Sequence, residues 1–291
     1  MNGVHVAGPA GRALHVHEGG DPAGRAVLVH HGTPLSGALY APWIAHAADH
    51  GIRLIGYDRP GYGGSDPHPG RTVADAAADV GAIADALGID RFATWGISGG
   101  APHALACAAL LGERVVAAAS LAGVAPFDAA GLNYFGGMGS DNLNELGAAM
   151  MGREALEPLL AGGSAGMLAA SAADLADEMR SLVSEADQAA LADGYAEHWS
   201  ATMPQVFARG IDGWRDDDLA FVAPFGFDVA QINVPVLVWH GRHDLFVPLS
   251  HGEWLAREIP GADVRITSDD GHLTLIHQRI PAVHEWLLER F

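Results

Sequence analysis

The chain has 291 residues, 49% of them hydrophobic and 18% charged, enough for one large or two ordinary domains with a substantial core, which excludes a disordered chain. All 16 basic residues are arginine, against 35 acidic ones, and the formal charge of −19 repels nucleic-acid phosphates and anionic membrane surfaces. One cysteine, Cys107, leaves no room for an intramolecular disulfide or a thiolate metal cluster.

At the N-terminus no basic segment precedes a long apolar run, so the expected location is a reduced cytoplasm, with no targeting signal. Residues 1–18, alternating at Leu14-His15-Val16-His17, predict an antiparallel edge hairpin. Near-continuous apolar runs follow at 26–30, 53–57, 92–97, 115–121 and 234–239, the pattern of parallel strands buried on both faces. The longest apolar stretch, 115–122, is far shorter than the ~20 residues that span a bilayer. Helical candidates at 39–49, 73–87 and 102–111 alternate with these strands. That rhythm predicts an α/β fold: a mostly parallel central sheet with helices on both faces. Cys107 reads as a small buried thiol in the alanine-rich third helix.

After about Pro126 the rhythm breaks. Residues 128–230 are rich in Ala, Glu and Asp and carry no strong β run; 172–182 and 185–192 have helical composition. Strand character returns at 234 and at 263–266, and the chain closes on a helix expected over 281–290. The prediction is one inserted helical block within an α/β domain, since a structureless loop of that length is improbable in a compact protein.

The sharpest local signal is Gly96-Ile97-Ser98-Gly99-Gly100, directly after a strand and directly before a helix. A G-x-S-x-G nucleophile elbow requires that context. Glycine at 96 and 100 keeps side chains out of a tight junction, and Ser98 stands at a helix N-terminus that favours developing negative charge. A serine hydroxyl is a weak nucleophile and needs a base. Asp244, in the loop after the 234–239 strand, and His272, in the loop after the next, follow in the order Ser, acid, His. Loops at the carboxyl ends of parallel strands share one rim of the sheet, so the three can converge. An imidazole can both take and return a proton, so His272 suits proton transfer to and from Ser98. Asp244 would hold its tautomer. The loop His31-Gly32-Thr33-Pro34 offers the Thr33 N–H, paired with the Gly99 N–H, as an oxyanion hole.

With Tyr57-Asp58-Arg59-Pro60-Gly61-Tyr62-Gly63-Gly64-Ser65, a turn of the D-x-x-G-x-G-x-S type, these motifs resemble the α/β-hydrolase-fold serine hydrolases, in the group of proline iminopeptidase-like peptidases and small esterases. The resemblance covers roughly 25–125 and 232–291. It implies a core of 1–127 and 231–291 with 128–230 as a helical cap. It also implies a cofactor-free hydrolase acting on an ester, lactone or amide of a small, largely apolar molecule. Serine at 98, where haloalkane dehalogenases and epoxide hydrolases carry a carboxylate, argues against those activities. The Gly-Gly-Ser-Trp-Gly of the peptidases is absent. Glu145, Glu154, Glu157 and Glu197 are candidates for gripping a substrate amine, each competing with a solvated helical face. Proline iminopeptidase-like aminopeptidase activity, cofactor-free perhydrolysis, C–C bond hydrolysis or slow turnover in a small-molecule sensor are the alternatives.

Several rival assignments arise. His103, one turn past Ser98, is a rival base, and Asp128 a rival acid. Trp199, Phe207 and Trp214, with Phe221, Phe225 and Phe227, are candidates to line a pocket. His15-x-His17, His30-His31 and His240-x-x-His243-Asp244 lack the three or four convergent ligands that zinc wants, so no metal is expected. His15 and His17 in particular show no nearby partner. Gly61-Tyr62-Gly63-Gly64 lacks the Gly-Lys-Ser/Thr ending of a phosphate loop. The expected partner is a small-molecule substrate, not nucleic acid or membrane.

Overall fold

A computed structural model describes residues 3–174, 179 and 181–291. The chain opens with β1 (Val4–Ala7) and β2 (Ala13–Gly20), antiparallel partners joined at Pro9–Gly11, the edge hairpin expected for residues 1–18. Then come β3 (Arg25–His30), α1 (Ala41–Asp49), β4 (Ile52–Tyr57), α2 (Asp75–Ala86), β5 (Phe92–Ile97), α3 (Ala101–Leu110) and β6 (Val115–Leu121). Between β6 and β7 (Val236–Gly241) lie α4 (Ser140–Met151), α5 (Arg153–Ala169), α6 (Glu185–Ala190), α7 (Ala196–Val206) and α8 (Asp212–Phe221). The chain ends with α9 (Leu249–Glu258), β8 (Asp263–Thr267) and α10 (His272–Leu288). Of the helical candidate at 172–182, residues 175–178 and 180 lie outside the described residues.

The sheet order is β1-β2-β4-β3-β5-β6-β7-β8. β2 pairs antiparallel with β4, and every later pairing is parallel. Successive side chains of a strand point to opposite faces, and the core divides accordingly. Val27, Val29, Trp95, Leu237 and Trp239 face α1 and α10, whereas Leu28, Phe92, Val236 and Val238 face α2, α3 and α9. That two-sided burial produces the continuous apolar runs. β8, with helices less fully over it at the sheet edge, alternates between half-buried and exposed positions. Cys107 is a free thiol in the α3 layer, and burial pushes its pKa up.

The direction of the winding reverses at β3, whose neighbours are β4 and β5. His30, at the end of β3, pairs with Gly96 near the end of β5. The loops after these two strands therefore leave the sheet side by side, at the switch point where open α/β sheets form clefts.

One boundary moves substantially. α10 begins at His272 and runs straight through Pro281, where the sequence reading started the helix. A proline is read as a first-turn residue because its ring suits that position. Here the N-terminal signal comes from a distant carboxylate and is invisible locally.

Candidate active site

Ser98 joins β5 to α3 at a backbone φ of +52°, in the left-handed region that costs a non-glycine residue on the order of 1 kcal/mol. Its neighbours explain the glycines. A Cβ on Gly96 would run into the Gly100 carbonyl, and one on Gly100 into the carbonyls of His30 and His31. The elbow is thus wedged against the end of β3. Among the described residues the Ser98 hydroxyl makes no hydrogen bond, and it opens onto a cavity of about 310 Å³.

The β3 loop closes over the elbow. A Cβ on Gly32 would lie 3.6 Å from Ser98 Cβ, and one on Gly99 would lie 2.5 Å from Thr33 Oγ1. Thr33, Ser98 and Gly99 therefore line the same cavity wall. What holds this loop is a buried ion cluster that sequence reasoning missed. Arg59 donates to the carbonyls of His31 and Gly32, to Thr33 Oγ1 at 3.0 Å and to Asp217 Oδ2 at 2.6 Å. Asp217 also accepts from Thr33 Oγ1 (2.6 Å), Tyr62 OH (3.0 Å) and Arg71 Nη1 (2.7 Å). Burial alone would push the Asp217 carboxyl up, but Arg59 and Arg71 outweigh it and hold the pKa well below the usual carboxylate range. With its carbonyls tied down, the β3 loop keeps one orientation.

Asp244 follows β7 and His272 is the first residue of α10; neither is among the residues that line the cavity. His272 Nδ1 lies 2.8 Å from Asp244 Oδ2, while Asp244 Oδ1 accepts the amides of Phe246 (2.9 Å) and Val247 (2.8 Å). A carboxylate can only accept here, so Nδ1 carries the proton and Nε2 of the neutral ring holds the lone pair. Phe246 stacks on the imidazole at 4.5 Å and also lines the cavity. No hydrogen bond joins Ser98 to His272 in this structure.

A second carboxylate, Asp187 of α6, fixes the backbone of His272. It accepts the amides of His272 (3.0 Å), Leu273 (2.7 Å) and Thr274 (3.0 Å). These are the donors that a helix start leaves without partners. The acid that caps α10 thus arrives from 85 residues earlier in the chain, and no local pattern announces it.

His103 points away from Ser98: its Nδ1 donates to the Gly99 carbonyl at 2.8 Å, its Nε2 faces Asp217 at 3.8 Å, and burial drives its pKa well down. Asp128 is exposed. Trp199, Trp214 and Phe221 line the cavity, but Phe207 does not; it packs behind Trp214, ring to ring at 6.0 Å. Phe225 and Phe227 stack on each other in the adjoining core. Contrary to expectation, His15 and His17 share a partner. β2 pairs with β4, whose end places Asp58 2.8 Å from His15 Nδ1 and 3.1 Å from His17 Nε2.

Of the candidate glutamates only Glu145 reaches the cavity, where Asp218 joins it. Glu145 Oε1 accepts from Trp214 Nε1 at 2.8 Å, and Asp218 Oδ2 is buried without a partner. Burial raises both pKa values, and the proximity of Glu145 raises that of Asp218 further, so the pair retains a proton that isolated carboxyls would have lost. The acidic run Asp216-Asp217-Asp218 is buried throughout, against the habit of reading acidic helices as solvated. Glu154 and Glu197 are exposed, and Glu157 pairs with Arg153 and Arg215.

Known proteins share this architecture. Residues 25–156 match the family model described as the alpha/beta hydrolase fold. A thermophilic esterase from Thermogutta terrifontis superposes with a TM-score of 0.72 at 22% identity, covering 99% of each chain. An enol-lactonase from Burkholderia xenovorans does so at 0.67 and 21%, covering 98% of each. A 2-hydroxymuconate semialdehyde hydrolase from Pseudomonas putida is 29% identical over 89 residues, 31% of this chain and 29% of that relative's length. No helix among the described residues is long and apolar enough to cross a membrane. Strand order, the strained elbow at Ser98 and the family match agree: this chain is an α/β-hydrolase-fold protein.

Proposed function

We propose that the protein is a cofactor-free serine hydrolase that cleaves an ester or lactone of a small, largely apolar molecule, with residues 128–230 as its cap. Ser98 Oγ attacks the carbonyl carbon while His272 Nε2 takes its proton. The N–H groups of Thr33 and Gly99 receive the oxyanion. His272 then protonates the leaving group, and water releases the acyl-enzyme by the same route. The carrying observation is the Asp244–His272 hydrogen bond at 2.8 Å, beside a cavity onto which a strained, unbonded Ser98 opens. The Ser98–His272 hydrogen bond forms in this reading when substrate binds, as catalytic contacts commonly tighten in the Michaelis complex.

The cavity of about 310 Å³ with a mainly apolar lining suits a small acyl or lactone ring. The enol-lactonase neighbour motivates the lactone, and the Pseudomonas putida relative motivates C–C hydrolysis. One observation favours a second reading. Glu145 and Asp218 on the cavity wall repel a carboxylate and welcome an amine or hydroxyl, so an amide with a free amine is the runner-up. The test is a panel of short- and long-chain p-nitrophenyl esters, simple lactones and aminoacyl arylamides, with Ser98→Ala protein as blank. Short esters or lactones should be turned over best. Preference for free-amine arylamides would replace this reading with the second, and no turnover above the blank would refute both.

Asp187 supplies a further check. Asp187→Ala should lower stability by about 1–2 kcal/mol through loss of the α10 cap. It should also cut kcat by about tenfold or more with KM little changed, because the imidazole loses its placement. Lost stability with kcat intact would make Asp187 a structural residue only.

A further inference from the structure

On the face of the molecule away from the cavity, the end of α1 meets the end of α10. His46 lies in the last turn of α1 and His50 just beyond it, four residues apart and hence on one side of the helix. Their rings stack at 3.9 Å. Glu285 of α10 brings a carboxylate to the same spot, and one ring nitrogen of each histidine and a carboxylate oxygen lie within 4.8 Å of one another. His50 and Glu285 are exposed and His46 half-buried, so the spot is open to solution.

The remaining hydrogen bonds leave donor atoms bare. His50 Nδ1 lies 2.8 Å from the His46 carbonyl. Only an N–H can face a carbonyl, so the neutral ring keeps its lone pair at Nε2. His46 Nδ1 lies 3.2 Å from Nδ1 of the buried His284. With the Nδ1–H of His46 donating a hydrogen bond to that neighbour, its Nε2 too presents a lone pair. Metal-ligating histidines are typically arranged in this way, with the second ring nitrogen donating to a carbonyl or another acceptor. Among the described residues the Glu285 carboxylate accepts no hydrogen bond.

The contrast with His15, His17 and Asp58 is instructive. There the Asp58 oxygens already accept both imidazoles and the amides of Gly37 (2.7 Å) and Gly64 (2.9 Å). That cluster satisfies itself, whereas the α1–α10 cluster does not.

We propose that His46, His50 and Glu285 bind a divalent zinc-class cation that clamps the end of α10 to α1. Two imidazoles and a carboxylate are borderline donors suited to Zn²⁺, Ni²⁺ or Cu²⁺, and solvent supplies the fourth position. Tetrahedral zinc needs these donor atoms about 3.3 Å apart, so small rotations of exposed side chains complete the site. The chain's charge of −19 draws cations to its surface.

The test is calorimetric titration of chelator-treated, tag-free protein with ZnCl₂, alongside thermal unfolding with and without zinc. Neither readout depends on catalysis. Wild type should bind zinc, and saturation should raise the unfolding midpoint by about 5 °C. His50→Ala and Glu285→Gln, both at exposed positions, should fold normally, weaken that binding about tenfold or more and abolish the thermal shift. Identical isotherms in wild type and both variants would place the zinc elsewhere, and no binding by wild type up to about 1 mM would remove the site; either overturns the proposal.

Discussion

Ser98→Ala should lower turnover by about 10⁴-fold or more, to the residual level that binding and the oxyanion donors alone sustain. It should do so without disturbing the fold. The Ser98 hydroxyl has no hydrogen-bond partner among the described residues, so its removal strands no donor or acceptor. Alanine also tolerates the backbone φ of +52° about as poorly as serine, so the strain stays and no rearrangement is favoured. Circular dichroism and the unfolding midpoint should match wild type while the acyl-enzyme disappears from mass spectra of substrate-treated protein. Activity within tenfold of wild type would sink the assignment of the nucleophile. Loss of activity together with the fold would make the result uninformative about chemistry, and Ser98→Cys, which keeps a nucleophile, would then be read by its acyl-enzyme instead.

Asp244→Asn should cost about 10⁴-fold in kcat with KM nearly unchanged. Asparagine can still accept the amides of Phe246 and Val247 through its Oδ1, as Asp244 does at 2.9 and 2.8 Å, so the loop after β7 keeps its shape. Its other terminus is an amide nitrogen, and that donates where the carboxylate accepted from His272 Nδ1 at 2.8 Å. The imidazole must then turn its lone pair to the new amide and place its proton on Nε2, where it can no longer take one from Ser98. The imidazolium formed during turnover loses its counter-charge as well. If Asp244→Asn keeps more than a tenth of the activity and Asp128→Asn does not, the acid belongs to the loop after β6, despite the exposure of Asp128.

These substitutions could be chosen before any coordinates because certain patterns are locally dictated. A strand buried on both faces is apolar at nearly every position, so β3, β5, β6 and β7 stand out from the chain, and the parallel alternation follows from them. The elbow is also local. Glycines at 96 and 100 are required by the carbonyls that crowd them, and a serine between them has few other uses. Asp244 and His272 were found by their place in loops after strands, which needs only the order of elements. Periodicity was less informative in residues 128–230, where helices pack against one another and against the sheet, and where Phe207 differs from Trp199 and Trp214 only in which side of its helix meets the cavity.

Long-range charge pairing was silent in the sequence. Asp217, Asp187 and Asp218 are ordinary acidic residues of helical segments until the fold buries them. There the cost of desolvation forces each to find donors, or a proton, from distant parts of the chain: Arg59 and Arg71 for Asp217, the bare amides of α10 for Asp187, a shared proton with Glu145 for Asp218. Residue types and short spacings suffice for the α/β architecture and offer Ser98, Asp244 and His272 as the site candidates. Which acids hold the β3 loop, cap the helix that carries His272 and line the cavity was settled by tertiary packing alone, because a buried charge is specified by its partners in space and those partners lie far away along the chain.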